Sequence, residues 1–295
     1  TIDVVSLTLK SGNAVVLKGG RDAAETNTAL VSLVHRVLRK HKLSTAAVTM
    51  IDANKPALTR QLMQARGLVD VLIPRGSQRL IDFVRKNARV PTIETGAGVC
   101  HTYVEKTARL DWATRMIVNA KTRRPSVCNA LDTLLIDHVI AKKLLLQVGP
   151  LLAKNEVTLF ADAESYGVLR SAYPAHLLKH AKPSHFGREF LSLKAAIKVV
   201  PDWRAGLAHI QKYTSGHSEG IVTNNVKIAR AFTDTIDAAA VYANAPTSFT
   251  DGYEFGLGAE LGISTQKLHA RGPMALRELT SYKWVVVGHG QVRPV

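Results

Sequence analysis

Cysteine is scarce: Cys100 and Cys128 are the only two in 295 residues. Two thiols cannot build a disulfide scaffold, and their spacing fits no zinc knuckle, so no metal site is expected. Either thiol is free for chemistry, and a reducing cytoplasm is the expected compartment. Aromatic residues make up only 6% of the chain, and no segment interleaves them with basic residues. That argues against the stacking platform of a single-strand nucleic-acid binder. No apolar run reaches the ~18 residues that span a bilayer, so no membrane partner is expected. The opening TIDVVSLTLKSGN has neither a basic start nor a small-residue cleavage site, and so offers no export signal. Acidic side chains are the other shortage: 23 Asp and Glu against 39 Lys and Arg leave a formal charge of +16. A basic surface attracts anions. Here the cations are dispersed over HRVLRKHK, VRKNAR, KTRR, AKK and KHAKP. That distribution suits a polyanionic substrate and cofactor better than it suits nucleic acid.

What the chain does contain is strand–helix alternation. AVVL (14–17), AVTMI (47–51) and VDVLI (69–73) read as buried strands. Between the first two, Leu30, Leu33, Val34, Val37 and Leu38 recur at helical spacing. Pro56 opens a second helix, and Ser77 is a plausible N-cap for a third that turns Leu80, Ile81, Phe83 and Val84 inward. TIE (92–94) and HTYV (101–104) are expected as short strands. A helical stretch from Val127 to about Gln147 then leads into VTLF, AAIKVV, a helix around 202–213, and GIVT. The tail suggests a helix-like segment at 273–280 and a last strand, KWVVV (283–287), free to add to a sheet of a neighbouring subunit. This is an α/β pattern, a parallel sheet covered by helices. A doubly wound domain would have strands before AVVL, so the chain is expected to be amino-terminally incomplete.

Several motifs could carry chemistry. GLGAELG (256–262) looks like a dinucleotide fingerprint, but it follows a turn-rich stretch and its last spacing is one residue too long, so it reads as a loop. Lys18, Gly19, Gly20 and Arg21 follow a strand and precede a helix, where ligands and phosphates bind in open α/β sheets. Arg75, Gly76 and Ser77 repeat that arrangement. An ordinary turn with solvated charges fits either junction alone; two together favour a cofactor. Cys128 lies after Arg123, Arg124 and Pro125, at an expected helix start, a setting that favours the thiolate. An inert buried cysteine fits the local pattern equally well, and it is the reading for Cys100 in its strand-like run. Glu94 ends a strand before a glycine turn and could act as a general base or stand solvated. SGHSEG (215–220) gathers His217, Ser218 and Glu219, but no nucleophile elbow accompanies it, which argues against a serine hydrolase.

Taken together, LKSGNAVVLKGG (9–20), VDVLIPRGS (69–77), VPTIETGAGVCHTYV (90–104), NAKTRRPSVCNALDTLL (119–135), HIQKYTSGHSEGIVT (209–223) and FTDGYEFGLGAELGISTQKLHARGP (249–273) resemble the gamma-glutamyl phosphate reductase family of the aldehyde dehydrogenase superfamily. The resemblance implies an aldehyde dehydrogenase-like α/β fold. It consists of the remainder of a Rossmann-type, NADPH-binding domain (1–124), an α/β catalytic domain (125–257), and a return segment with an oligomerisation strand (258–295). It implies reduction of gamma-glutamyl phosphate to glutamate 5-semialdehyde, the second step of proline biosynthesis. Cys128 matches the nucleophile and Glu94 the superfamily's glutamate beside it. Lys18 matches the adenosine-ribose lysine, Arg21 stands where a 2′-phosphate could be held, and Glu189 matches the glutamate on the nicotinamide ribose. Gly20, Arg75, Gly76 and Ser77 complete the implied cofactor set. Ser126, Ser215, His217, Asn244 and Ser248 are the implied substrate contacts. The implied partners are a second copy of the chain and, functionally, glutamate 5-kinase. The superfamily's oxyanion asparagine is expected just before Thr1, and Ser192 and Lys194 depart from the family's usual residues. The reductase half of a bifunctional pyrroline-carboxylate synthase, and an inactive fragment or basic binding module, are the competing readings.

Overall fold

The structure, a computed structural model, describes residues 1–294. The chain divides into two compact units, residues 1–53 with 275–295 and residues 54–274. In the first unit α1 (Ile2–Lys10) precedes β1 (Val15–Leu17), α2 (Ala24–Lys40) and β2 (Val48–Met50). The two strands pair in parallel, with Val15 opposite Val48. Val5, Val31, Leu38 and Val48 form their common core, with Val34 packed against it, whereas Leu33 and Val37 of α2 are exposed. The segment expected to add to a neighbouring subunit's sheet, KWVVV (283–287), finds no partner strand within its own chain. Residues 281–294 make no ladder, and Trp284, Val285, Val286 and Val287 are exposed. The helix expected at 273–280 is a single 3₁₀ turn, Arg277–Leu279.

The second unit opens with α3 (Pro56–Gln64) and α4 (Gln78–Asn87). Pro56 sits in the first turn of α3, where its missing N–H costs nothing. Ser77 takes the cap position of α4 with extended backbone, although its side chain makes no cap bond. Next come β3 (Cys100–Val104), α5 (Leu110–Thr122), β4 (Leu131–Asp137), α6 (His138–Lys154), β5 (Thr158–Ala161), α7 (Ala163–Leu169), β6 (Leu178–His180) and β7 (Lys194–Val200). The unit closes with α8 (Trp203–Tyr213), β8 (Ser218–Val222), α9 (Val226–Thr235), β9 (Ala240–Ala243), β10 (Ile263–Ser264) and β11 (Gly272–Pro273). Seven strands form one parallel sheet in the order β6-β5-β7-β4-β3-β8-β9. Leu134 and Ile136 of β4 pack with α5 and α6 on one face, and Leu135 packs with Ile210 of α8 and Phe232 of α9 on the other. Helices on both faces leave every residue of β4 buried.

That double burial explains the main departure from expectation. The segment from Val127 is not a helix: 125–130 is a turn, β4 follows, and the helix begins only at His138. A strand buried on both faces is an apolar run without alternation, which periodicity cannot separate from a buried helix. The strands expected at 69–73 and 92–94 shrink to isolated bridges, Arg66 with Val69 and Leu72 with Thr92. The domain boundary expected at 124/125 falls inside the seven-stranded sheet, between two strands that pair. β3 and β4 share the sheet because both are buried central strands, so contacts part the chain near 53/54 and 274/275 instead.

Candidate active site

Parallel strands place their amino ends on one edge of the sheet. The segments entering β3, β4, β7 and β8 therefore meet there, and they carry Gly98, Cys128, Glu189 and Ser215. Their contacts are close. A Cβ on Gly98 would lie 1.9 Å from the carbonyl oxygen of Cys128, so only glycine lets the two backbones cross. The Gly98 amide donates to Glu189 Oε1 at 2.8 Å, and the Val99 amide to Ser215 Oγ at 2.9 Å. Cys100 Sγ donates to the Cys128 carbonyl at 3.2 Å. Asn129 is pinned by the 247–250 turn: its Nδ2 donates to Thr250 O at 3.0 Å, and Thr247 Oγ1 donates to its carbonyl at 2.8 Å.

The electrostatics differ from the expectation of a stabilised thiolate. Cys128 is on a turn, not at a helix start, and Arg123 and Arg124 are exposed. Burial pushes the thiol up to about 11, with Glu189 and Glu260 adding to the rise, and Arg75 is the opposing cation. Arg75 lies against Gly262, where a Cβ would meet its Nη1 at 2.7 Å. Glu260 accepts the Gly252 amide at 2.9 Å, and burial raises its carboxyl above the ordinary range. Cys100 is fully buried and is held well above the usual thiol range by burial, then by Glu219 and Asp132. It remains a thiol.

Other expected residues fall in different places. The amide of Glu94 is held by Gln266 Oε1 at 2.7 Å, and its carboxylate faces Arg85 at 3.9 Å. The carboxylates bearing on Cys128 are instead Glu189 and Glu260. Ser126 is exposed on the turn that carries Cys128. His217 is fully buried 3.9 Å from Cys100 Sγ, and burial pushes it down to about 4, so it is a neutral ring behind the site. Ser248 donates to Asn119 Oδ1 at 3.0 Å. Asn244 is not at the site. It follows β9 and pairs with the backbone of Thr223 at both side-chain ends, 2.9 Å each, beyond the carboxyl end of β8. A five-residue strand, about 16 Å long, separates it from the amino edge. In the other unit, Lys18, Gly20 and Arg21 are exposed between β1 and α2. A Cβ on Gly19 would come within 2.5 Å of Asn27 Nδ2, so that turn lies close against the helix. Gly76 has φ +146, a backbone that suits glycine.

No family model matches the chain. A gamma-glutamyl phosphate reductase of Pelodictyon phaeoclathratiforme is 54% identical over 294 residues, which is 100% of this chain and 70% of that relative. One from Bacteroides fragilis is 53% identical over 293 residues, covering 99% of this chain and 70% of the relative. The chain belongs to the gamma-glutamyl phosphate reductase family. The crystal structure of the Thermotoga maritima gamma-glutamyl phosphate reductase superposes with a TM-score of 0.94 at 43% identity, covering 99% of this chain and 69% of that one. An acetylating aldehyde dehydrogenase from Geobacillus thermoglucosidasius shares the fold, with a TM-score of 0.76 at 18% identity over 98% of this chain and 72% of that one. The fold is thus aldehyde dehydrogenase-like, as the sequence suggested. Among the described residues no helix is long and apolar enough to cross a membrane. Three groups in this reductase escaped sequence reasoning: Glu260, Gly98, and the buried pair of Lys121 and Asp132. Glu260 was visible only as part of a glycine cluster read as a loop.

Proposed function

We propose that Cys128 is the nucleophile in NADPH-dependent reduction of gamma-glutamyl phosphate to glutamate 5-semialdehyde, the reaction of its family. The observation that supports this is the convergence of four strand-entry segments on one partly buried thiol flanked by carboxylates. Cys128 Sγ attacks the acyl carbon, the bond to the phosphate oxygen breaks, and inorganic phosphate leaves a thioacyl enzyme. A thiol held near about 11 is protonated at neutral pH, so its proton must pass to a base as it attacks. Glu260 and Glu189 are the candidates, since their charge falls on the thiol. Cys128 holds the acyl group as the thioester, and a reduced nicotinamide, when bound, would supply the hydride that converts it to the semialdehyde and frees the thiol. Glu189, Arg75, Gly76 and Ser77 are candidate cofactor contacts in the unit that carries the thiol, and Lys18, Gly20 and Arg21 are candidate adenosine contacts in theirs. Glu94 supports the site from the Arg85 side. Ser126, Ser215 and Ser248 are the candidate substrate contacts; His217 acts from behind. Observed exposure of Trp284 and Val285–Val287 supports a second copy pairing with that segment. An acyl phosphate hydrolyses readily, which favours functional coupling to the glutamate 5-kinase that makes it. Two free thiols fit a cytoplasmic setting.

Cofactor choice gives a direct test. A guanidinium at position 21 can make charge-assisted hydrogen bonds to a 2′-phosphate, worth about 1.5–3 kcal/mol. Arg21→Ala should raise the KM for NADPH by about tenfold or more and leave that for NADH nearly unchanged. Equal losses with both cofactors would make Arg21 a structural residue.

A further inference from the structure

Beside Cys100, Lys121 and Asp132 are buried at 0% and 2% exposure. Their Nζ and Oδ1 are 3.9 Å apart. Desolvating two charges costs several kcal/mol, and apolar residues of similar size would fill the space without that cost. The pair therefore calls for a reason beyond packing, and its contacts supply one. The register between β3 and β4 slips at Asp132: Cys100 is opposite Leu131, and His101 is opposite Thr133. This bulge leaves the Cys100 amide facing the Asp132 side chain, Oδ2 at 3.5 Å. Asp132 Oδ1 accepts the Phe190 amide at 2.9 Å. Lys121 Nζ donates to the Lys194 carbonyl, where β7 begins, at 2.8 Å. One carboxylate thus ties together the entries of β3, β4 and β7. The two amide ties of Asp132 lead on to the Cys128 turn. Phe190 follows Glu189, which holds the Gly98 amide, and Gly98 lies against the Cys128 carbonyl. Cys100 donates to that same carbonyl.

We propose that the buried Lys121–Asp132 pair is the positioning element of this active site, holding Glu189 and the Gly98 turn against Cys128. The catalytic meaning of the inference rests on Cys128 being the nucleophile. The groups facing Asp132 are Lys121 from α5, the Cys100 thiol and amide from β3, and Glu189 with the Phe190 amide from the segment before β7. Nearly all of these present donors. A protonated Asp132 would turn its hydroxyl toward donors and lose one amide. Burial raises its carboxyl to about 6, with Lys121 and the two amides opposing the rise. Acidification through pH 6 should therefore loosen the same amides that Asp132→Asn loosens at every pH.

The test reads Cys128 directly. Iodoacetamide alkylation of the full chain is followed by peptide mass spectrometry across pH 7–12, a range that brackets the wild-type midpoint. Glu189 is one of the causes holding the thiol up. Glu189→Gln and Asp132→Asn should each lower the alkylation midpoint by about one pH unit, which at pH 7.5 raises the thiolate fraction about tenfold and speeds alkylation about threefold. The double variant should gain no more than Glu189→Gln alone, the signature of one acting through the other. A folded Asp132→Asn protein with the wild-type midpoint overturns the proposal. Should that variant not fold, hydrogen exchange of the wild type decides. Protection at the Gly98, Cys100 and Phe190 amides, corrected for intrinsic rate, should fall as pH drops through 6, and pH-independent protection overturns it. Neither readout uses turnover. An active Cys128→Ser enzyme would sink the proposed nucleophile and leave these outcomes intact.

Discussion

Cys128→Ser is expected to lower turnover by about 10⁴-fold or more, the scale on which a covalent nucleophile is lost, whereas Cys100→Ser should stay within a few-fold of wild type. The two thiols sit in one small region and differ in access. Cys100 is fully buried, donates to the Cys128 carbonyl, and lies beside a neutral His217. A serine hydroxyl there can make the same bond to that carbonyl. Cys128 is only partly buried, on a turn that opens from the sheet edge. A serine at 128 would keep the shape, but its hydroxyl is far less acidic than a thiol and makes a poor leaving group for the acyl step. The assay is phosphate-dependent reduction of NADP by glutamate semialdehyde, with circular dichroism as the folding check. Equal losses in two folded variants would mean that the nucleophile is misassigned.

The contrast between these cysteines was partly legible in the sequence, for a reason that turned out differently. PSVCNA marked Cys128, and the strand-like run around Cys100 marked it as buried, which β3 bears out. The cationic helix start was the wrong physics: the residues after Pro125 form a turn and the acting cation is Arg75, 53 positions earlier (128 − 75). Local pattern carries helices and strands whose apolar residues alternate or recur, so β1, β2, α2, α3 and α8 were readable. It does not carry contacts between distant segments. Glu189 meets Gly98 across 91 positions, and Val99 meets Ser215 across 116. Gly98 reads in sequence as one more flexible residue of a TGAG turn; only its neighbour across the sheet shows what it is for. Asp132 was hidden in LDTLLID for a related reason. A carboxylate near the start of an apolar run looks like the polar face of a helix until a bulge turns it inward beside Lys121.

Gly98→Ala should therefore cost this enzyme about 10²-fold in turnover, although it adds a single methyl group. The new Cβ would lie 1.9 Å from the Cys128 carbonyl oxygen, 2.6 Å from its carbon and 2.9 Å from its Cα. These are backbone atoms, which cannot swing aside as the tip of a side chain can. Relief requires the Cys128 turn or the entry to β3 to move by about 1 Å or more, and such a displacement at a reacting centre costs about 10²-fold. It would also pull the Gly98 amide from Glu189 and disturb the Cys100 bond to the Cys128 carbonyl. Overpacking in a buried setting adds a destabilisation of about 1–3 kcal/mol. Gly167→Ala is the matched control, because nothing lies within 4 Å of a Cβ at that helical position. It should leave turnover unchanged and keep or slightly raise Tm. The measurement is Tm and turnover for both variants in one buffer. A Gly98→Ala enzyme with the Tm and turnover of the Gly167→Ala control would show that the two backbones do not cross at this distance, and the geometry drawn around Cys128 would have to be abandoned.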